Sequence, residues 1–255
     1  MSKSFLPTIL EQKEKEVAGL PMEELKPLRQ TYKFYDFLKT HPNKLQLIAE
    51  VKKASPSLGD INLDTDIVTQ AKTYEANGAA MISVLTDELF FKGDIDYLRQ
   101  ISSQVSIPTL AKDFIIDEKQ IVRSRNAGAT VILLIVAALS EKRLKELYDF
   151  AIGLGLEVLV ETHNLPELGV AHRIGANIIG VNNRNLVTFE TDINTSLELS
   201  TYFKGKPAYI SESALFTAED AALVAPYFNG ILVGTALMTA DNVAEKIKEL
   251  QIDKG

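Results

Sequence analysis

Glu50, Lys52, Lys112, Glu161, Asn182 and Glu212 share one feature: each lies at or just past the end of a short apolar run. The first run, Leu47-Ile48-Ala49, leads into Glu50-Val51-Lys52-Lys53. Side chains on a strand alternate faces, so Glu50 and Lys52 point one way and Val51 the other. Opposite charges on one face of a buried strand are costly unless paired or used. Later runs end in Lys112-Asp113, in Glu161, in Asn182 with Arg184 beyond it, in Ser211-Glu212-Ser213 and in Gly234-Thr235. With a reference pKa of about 10.4, a lysine is a charged proton donor near neutral pH, and Glu161 is a candidate base. Glu50, Glu161 and Glu212 can oppose Lys52, Lys112 and Arg184, and pairing keeps each group ionised despite burial. A lysine here could also be a Schiff-base nucleophile, which needs a lowered pKa; the surrounding glutamates argue against that. One charged strand end is ordinarily a solvated edge or a local ion pair. Six strands ending in polar groups are hard to explain that way.

The elements that must position these residues repeat along the chain. Strand candidates are Leu45–Lys52, Ala80–Leu85, Thr109–Lys112, Val131–Ile135, Leu156–Glu161, Ile178–Asn182, Ala208–Glu212 and Gly230–Gly234. Their ends are roughly 21 to 33 residues apart, the size of a strand-helix unit. Amphipathic helices are expected over Asp66–Ala76, Ile95–Ser102, Glu118–Ala127, Glu141–Gly153, Leu165–Ile174, Asn194–Tyr202, Ala218–Ala225 and Val243–Leu250. Glycines before many strands (Gly78, Gly128, Gly155, Gly175, Gly230) read as left-handed helix stops. Ile, Val and Leu fill the strands with little polar alternation, as in a parallel sheet buried on both faces. Eight such units favour an α/β fold of the (β/α)8 TIM barrel type over an open sheet, and no G-x-G-x-x-G follows a strand. In such a barrel the strand ends converge on one rim. The expectation is one domain over 1–255, with a helical extension over 1–44 and the barrel over 45–255. Within the extension, Phe5–Ala18 has helical spacing and Tyr32–Leu38 is an aromatic-rich helical turn. It reads as an ordinary surface helix pair, or else as a cover for one mouth of the fold that helps bind substrate.

Ser211-Glu212-Ser213-Ala214 and Val233-Gly234-Thr235-Ala236 are small-residue loops after the last two strands. In this fold such loops commonly hold phosphate through backbone N–H groups. Gly234 would let backbone approach closely, and Ser213 and Thr235 add hydroxyl donors. Phe90-Phe91-Lys92-Gly93 follows the second strand. It is either core packing or, with Phe114, Leu133 and Leu186, a wall for an aromatic substrate. His41, His163 and His172 fall in unrelated places, only His163 near a strand end, so a metal site is not expected.

Composition narrows the class. The chain has 255 residues, 46% of them hydrophobic and 24% charged, with no cysteine and a net charge of −7. Without cysteine there are no disulfides, thiolate ligands or cysteine nucleophile. The acidic balance and the absence of a basic run argue against nucleic-acid binding. No apolar run spans a bilayer and no signal-peptide core is visible, so no membrane role and a cytoplasmic location are expected.

The blocks IAEVKKASPS, SVLTDELFFKG, KDFIID, ILLIVAAL, LVETH, IGVNNRNL, ISES and ILVGTALM, in order from Ile48 to Met238, resemble the signatures of indole-3-glycerol-phosphate synthases. The resemblance implies a cofactor-free barrel enzyme of tryptophan biosynthesis acting on a small phosphorylated molecule, 1-(2-carboxyphenylamino)-1-deoxyribulose 5-phosphate. It implies closure of the indole ring with loss of carbon dioxide and water; it names no protein partner. By motif position, Lys112 resembles the general acid and Glu161 the acid–base partner of the later dehydration. Lys52 and Glu50 resemble the first-strand pair that positions substrate and assists proton transfer, and Asn182 and Glu212 complete the polar set. Arg184 resembles the ligand of the substrate carboxylate, and Ser55 sits where the first-strand loop approaches substrate. Ser213, Ala214, Gly234 and Thr235 fall in the phosphate site, and Phe91, Phe114 and Leu133 on the wall for the anthranilate ring. Three positions depart from the family pattern: Leu58 for a lysine, Ala111 for an arginine and Ala214 for a glycine. A Schiff-base aldolase or a non-catalytic sugar-phosphate binding barrel remain the alternatives.

Overall fold

A computed structural model describes residues 5–28, 32–52, 54–55, 59–60 and 66–254. Eight parallel strands close into a barrel: β1 Gln46–Val51, β2 Met81–Leu85, β3 Thr109–Lys112, β4 Val131–Ile135, β5 Glu157–Thr162, β6 Ile178–Asn182, β7 Ala208–Glu212 and β8 Gly230–Val233. β1 pairs with both β2 and β8, which closes the ring. The expected strands are therefore all present, with ends shifted by a residue at β1, β2, β5 and β8. The residues 54–55 and 59–60 form a small antiparallel pair just past β1. Leu58 lies outside the described residues, as does the side chain of Ser55.

The helices are α1 Phe5–Gly19, α2 Phe34–Thr40, α3 Ile67–Ala76, α4 Glu88–Phe91, α5 Ile95–Ser102, α6 Glu118–Asn126, α7 Glu141–Gly153, α8 Leu165–Arg173, α9 Asn194–Ser200, α10 Ala218–Val224, α11 Thr235–Met238 and α12 Val243–Leu250. Caps explain several boundaries. Asp66 accepts from the backbone of Val68 and Thr69, so it caps α3 and is not inside it. Asp117 and Gln120 form a reciprocal capping box on α6. α4 and α11, one turn each, are too short to show a helical period in sequence. Gly78, Gly128, Gly155 and Gly175 take positive φ as expected, but Gly230 does not. Gly230 opens β8, where a Cβ would stand 2.8 Å from the Gln46 carbonyl oxygen, so close strand approach is what requires glycine there.

Two apolar layers follow from the period of two along each strand. Leu47, Ala49, Val84, Ala111, Ile132, Val160 and Val181 face out and pack under the helices. Ile48, Met81, Leu110, Val131, Leu133, Leu159, Ile178, Ile210 and Leu232 fill the barrel interior. The N-terminal extension splits between the two ends. Phe34 and Leu38 of α2 are buried with the interior set, and the N–H groups of Phe34 and Tyr35 donate to the carboxylate of Glu157, the first residue of β5. α2 thus plugs the amino end. The link to α1 runs outside the barrel, where Arg125 donates to the carbonyl of Lys26 and Lys26 N–H donates to Asn126. α1 lies on the opposite, carboxyl rim, so the surface-helix-pair reading is corrected: each helix covers a mouth.

Candidate active site

The same alternation that fills the interior carries chemistry to the rim. Ile48 is followed on its face by Glu50 and Lys52, Leu110 by Lys112, Leu159 by Glu161, Ile178 by Asn182, and Ile210 by Glu212. Each functional residue therefore lies two or four residues beyond the apolar filling, on the same inward face. Lys112 Nζ sits 2.8 Å from Glu161 Oε2 and 3.2 Å from Glu212 Oε2. Lys52 Nζ lies 3.0 Å from Glu50 Oε1, so the two charges read on one face of β1 do pair. Two glycines make room for this cluster. A Cβ on Gly180 would stand 2.0 Å from Glu212 Oε1, and one on Gly234 would stand 2.4 Å from Glu50 Oε1. Gly234 is expected to admit a phosphate; a Cβ there would also crowd the Glu50 carboxylate.

The two glutamates beside Lys112 differ. Burial disfavours the Glu161 carboxylate, but Lys112 and His163 outweigh it and hold its pKa well below the usual range. Glu212 goes the other way. Burial, with Glu161 and Glu50 nearby, pushes it up to about 7 against the opposing pull of Lys112. Its contact with Lys112 is off the line of a hydrogen bond, so neither buried oxygen has a hydrogen-bond partner among the described residues. Burial opposes the Lys112 charge too, yet Glu161, Glu212 and Glu50 together raise its pKa above that of a free lysine. Lys112 is held as an ammonium and is poorly suited to form a Schiff base.

One cleft is lined by Glu50, Lys52, Lys112, Glu161, Asn182 and Arg184, together with Phe91, Phe114, Leu133 and Leu186. Phe91 and Phe114 have ring centroids 6.0 Å apart, so the expected aromatic wall is one surface. Phe90 instead packs edge-on against Phe5 of α1. A second hollow shares Glu50, Lys52, Lys112, Asn182, Arg184 and Ser213 with the first and continues over Glu212, Ala214, Gly234 and Thr235. Asn182 Oδ1 accepts the backbone N–H of Arg184, and Arg184 donates to the carbonyl of Phe189. Ala111, by contrast, faces the helix layer and is fully buried, so its departure from the family pattern lies away from the cleft.

The loop after β7 turns sharply: Ser213 and Ala214 have φ of 65° and 58°. Alanine in this left-handed region is strained where glycine would not be. Asn183, which sequence reasoning passed over, braces the turn. Its side chain donates to Ser211 Oγ and the Ser213 carbonyl and accepts from Ser196 N–H.

α1 supplies what the sequence hid. Phe5, Leu6 and Ile9 line the cleft, and Phe5 also meets Phe189 edge-on at 4.8 Å. Lys13, only 2% exposed, puts its ammonium 2.8 Å from Asp87 and 2.9 Å from Asp113, just past β2 and β3. Asp113 also accepts from Thr86 Oγ1 at 2.7 Å. Phe5, Ile9 and Lys13 are spaced by four, which puts them on one helix face; that spacing was the available signal, masked by the charged run EQKEKE.

A closed parallel barrel whose carboxyl rim gathers cations, carboxylates, an aromatic wall and two small-residue loops defines a class: barrel enzymes that act on small molecules at that rim. The family model described as indole-3-glycerol phosphate synthase matches residues 6–250. Curated proteins of that name from Streptococcus thermophilus, Streptococcus sanguinis and Streptococcus mutans are 86%, 79% and 78% identical, each over all of both chains. The chain belongs to the indole-3-glycerol phosphate synthase family. Among solved structures, a 3-hexulose-6-phosphate synthase aligns with a TM-score of 0.65 and 13% identity over 81% of this chain and 98% of that one. A thiamine phosphate pyrophosphorylase from Pyrococcus furiosus aligns with a TM-score of 0.59 and 17% identity over 82% and 95%. These two share the fold.

Proposed function

We propose that the protein closes the indole ring of 1-(2-carboxyphenylamino)-1-deoxyribulose 5-phosphate, with loss of carbon dioxide and water, to give indole-3-glycerol phosphate. The observation that carries this reading is Lys112, held as an ammonium between Glu161 and Glu212, at the junction of an aromatic-walled cleft and a small-residue hollow. One extended substrate fits both lobes. Its ring lies against Phe91, Phe114 and Leu133, and its phosphate in the turn of Ser213, Ala214, Gly234 and Thr235. Holding both ends places the reacting carbons together, which supplies the proximity contribution. Arg184 takes the carboxylate.

Ring attack on the carbonyl disrupts aromaticity, so charge developing on the carbonyl oxygen must be neutralised as it forms. Lys112 donates its proton there. The bond to the carboxylate then breaks; carbon dioxide leaves, and the bonding electron pair stays behind to restore the ring. The last step removes a proton and a hydroxyl; Glu161 takes the proton, and the departing hydroxyl takes one from the Lys52 ammonium and leaves as water. Glu50 and Lys52 orient the ribulose chain, and Asn182 and Glu212 complete the polar lining.

Incubation with this substrate, followed by the fluorescence of the indole product, tests the reading. Product formation is expected; a folded protein that binds substrate and forms none would overturn it. A Schiff-base aldolase on the same barrel would instead yield a borohydride-trapped adduct on Lys52 or Lys112, and none is expected.

A further inference from the structure

Glu161 has a second cationic neighbour that the ring-closure scheme leaves unused. His163 follows two residues later, its side chain only 10% exposed. Its Nε2 lies 3.1 Å from Glu161 Oε1, somewhat off the line of a hydrogen bond, so this contact is chiefly ionic. Its Nδ1 lies 3.0 Å from Glu167 Oε2. Glu167 is itself fixed by the first turn of α8. Its carboxylate accepts from the His163 backbone N–H at 2.8 Å and from Asn164 Nδ2 at 2.6 Å, and its own N–H donates to Asn164 Oδ1 at 3.0 Å. Charge therefore alternates along a line of four groups: Glu167, His163, Glu161 and Lys112.

We propose that His163, held as an imidazolium between Glu161 and Glu167, is a positioning residue that keeps Glu161 ionised and aimed at Lys112 throughout the reaction. This rests on Lys112 and Glu161 being the acid–base pair. An ionised carboxylate only accepts hydrogen bonds, so Nδ1 carries the hydrogen it shares with Glu167, and the Glu161 carboxylate beside Nε2 favours the charged ring. The need for such a cation comes from the chemistry. When Lys112 gives its proton to substrate, Glu161 loses that paired charge, and burial then favours its neutral form. A protonated Glu161 could not act as the later base. The imidazolium stays in place across that step.

Among the described residues, the charged groups around the ring are four carboxylates and one cation, Arg184. Glu161 comes from β5 and Glu167 from α8, while Arg184, Glu190 and Asp192 of the loop after β6 line the same hollow. Burial works against the ring's charge, but the two carboxylates outweigh it and raise the pKa to about 9.

The test uses His163→Gln and Glu167→Gln in the full chain. For His163→Gln, kcat is expected to fall about tenfold or more, with KM changed less than about twofold. The acid limb of the kcat profile should move to higher pH, because Glu161 becomes harder to ionise. Nitrogen NMR of the His163 ring needs no turnover. Both nitrogens should be protonated near neutral pH in the wild type and titrate near 9, and Glu167→Gln should lower that midpoint. A folded His163→Gln with wild-type kcat and an unmoved acid limb overturns the proposal, as does a neutral ring near pH 7. An inactive wild type would sink the proposed reaction instead, with the NMR result still judging His163.

Discussion

At the amino end of the barrel, α2 presses Phe34 and Leu38 onto the interior apolar set, and Glu157 is the carboxylate that ties the helix down. At the carboxyl end, α1 lays Phe5, Leu6 and Ile9 over a charged cleft and fixes itself by Lys13 between Asp87 and Asp113. Both closures come from one N-terminal extension, yet their physics differs. The amino-end plug gains from removing apolar surface from water and tolerates one carboxylate because backbone N–H groups satisfy it. The rim latch gains little from burying charge, since pairing mostly repays desolvation. What it secures is geometry, because Asp113 immediately follows Lys112. Charge is thus buried at the rim as paired groups, and at the amino end as one carboxylate met by backbone N–H groups.

Lys13→Met should sharpen that contrast most. It leaves buried Asp87 and half-buried Asp113 without their cation, an expected loss of about 4 kcal/mol, and it loosens α1, so KM should rise as well. Denaturant unfolding and steady-state kinetics check both. Phe34→Ala should cost about 3 kcal/mol through the cavity it leaves, while kcat and KM at a permissive temperature stay unchanged. A kinetic effect at Phe34 as large as that at Lys13 would break the division between the two ends.

Next comes pH. Glu212 is raised in the folded state from 4.5 to about 7, so its contribution favours folding fully below 4.5 and is lost as pH rises through 7. Glu212→Gln should therefore gain stability relative to the wild type across that interval, read as the difference in unfolding free energy against pH. A difference that does not change with pH would mean that Glu212 is as ionised folded as unfolded. The smallest effect is at Ala214. Glycine fits its φ of 58° without strain, so Ala214→Gly should add about 1 kcal/mol, with KM equal or lower. A melting temperature that does not rise, or a higher KM, would contradict it.

Much of this was legible in sequence because strand periodicity is local. Once Leu110 faces the interior, Lys112 must follow it to the rim, and the same holds for Glu161 after Leu159 and Glu212 after Ile210. Phe91, Phe114 and Leu133 were readable as a wall only given the barrel. Lys13 was not legible, because a lysine in a charged helix reads as solvated until its partners, about 70 and 100 residues away in the chain, are placed. His163 was seen at a strand end, but Glu167 becomes its partner only when α8 turns back. Gly234 was read for a ligand; that a Cβ there would also crowd the Glu50 carboxylate shows only once the strands are placed.

The most direct measurement compares wild type with Lys112→Ala, following indole product fluorescence for turnover and calorimetry for substrate binding. Turnover is expected to fall by about a thousandfold, with the dissociation constant changed only a few-fold. Near-normal turnover in Lys112→Ala, or a loss explained wholly by weaker binding, would contradict it.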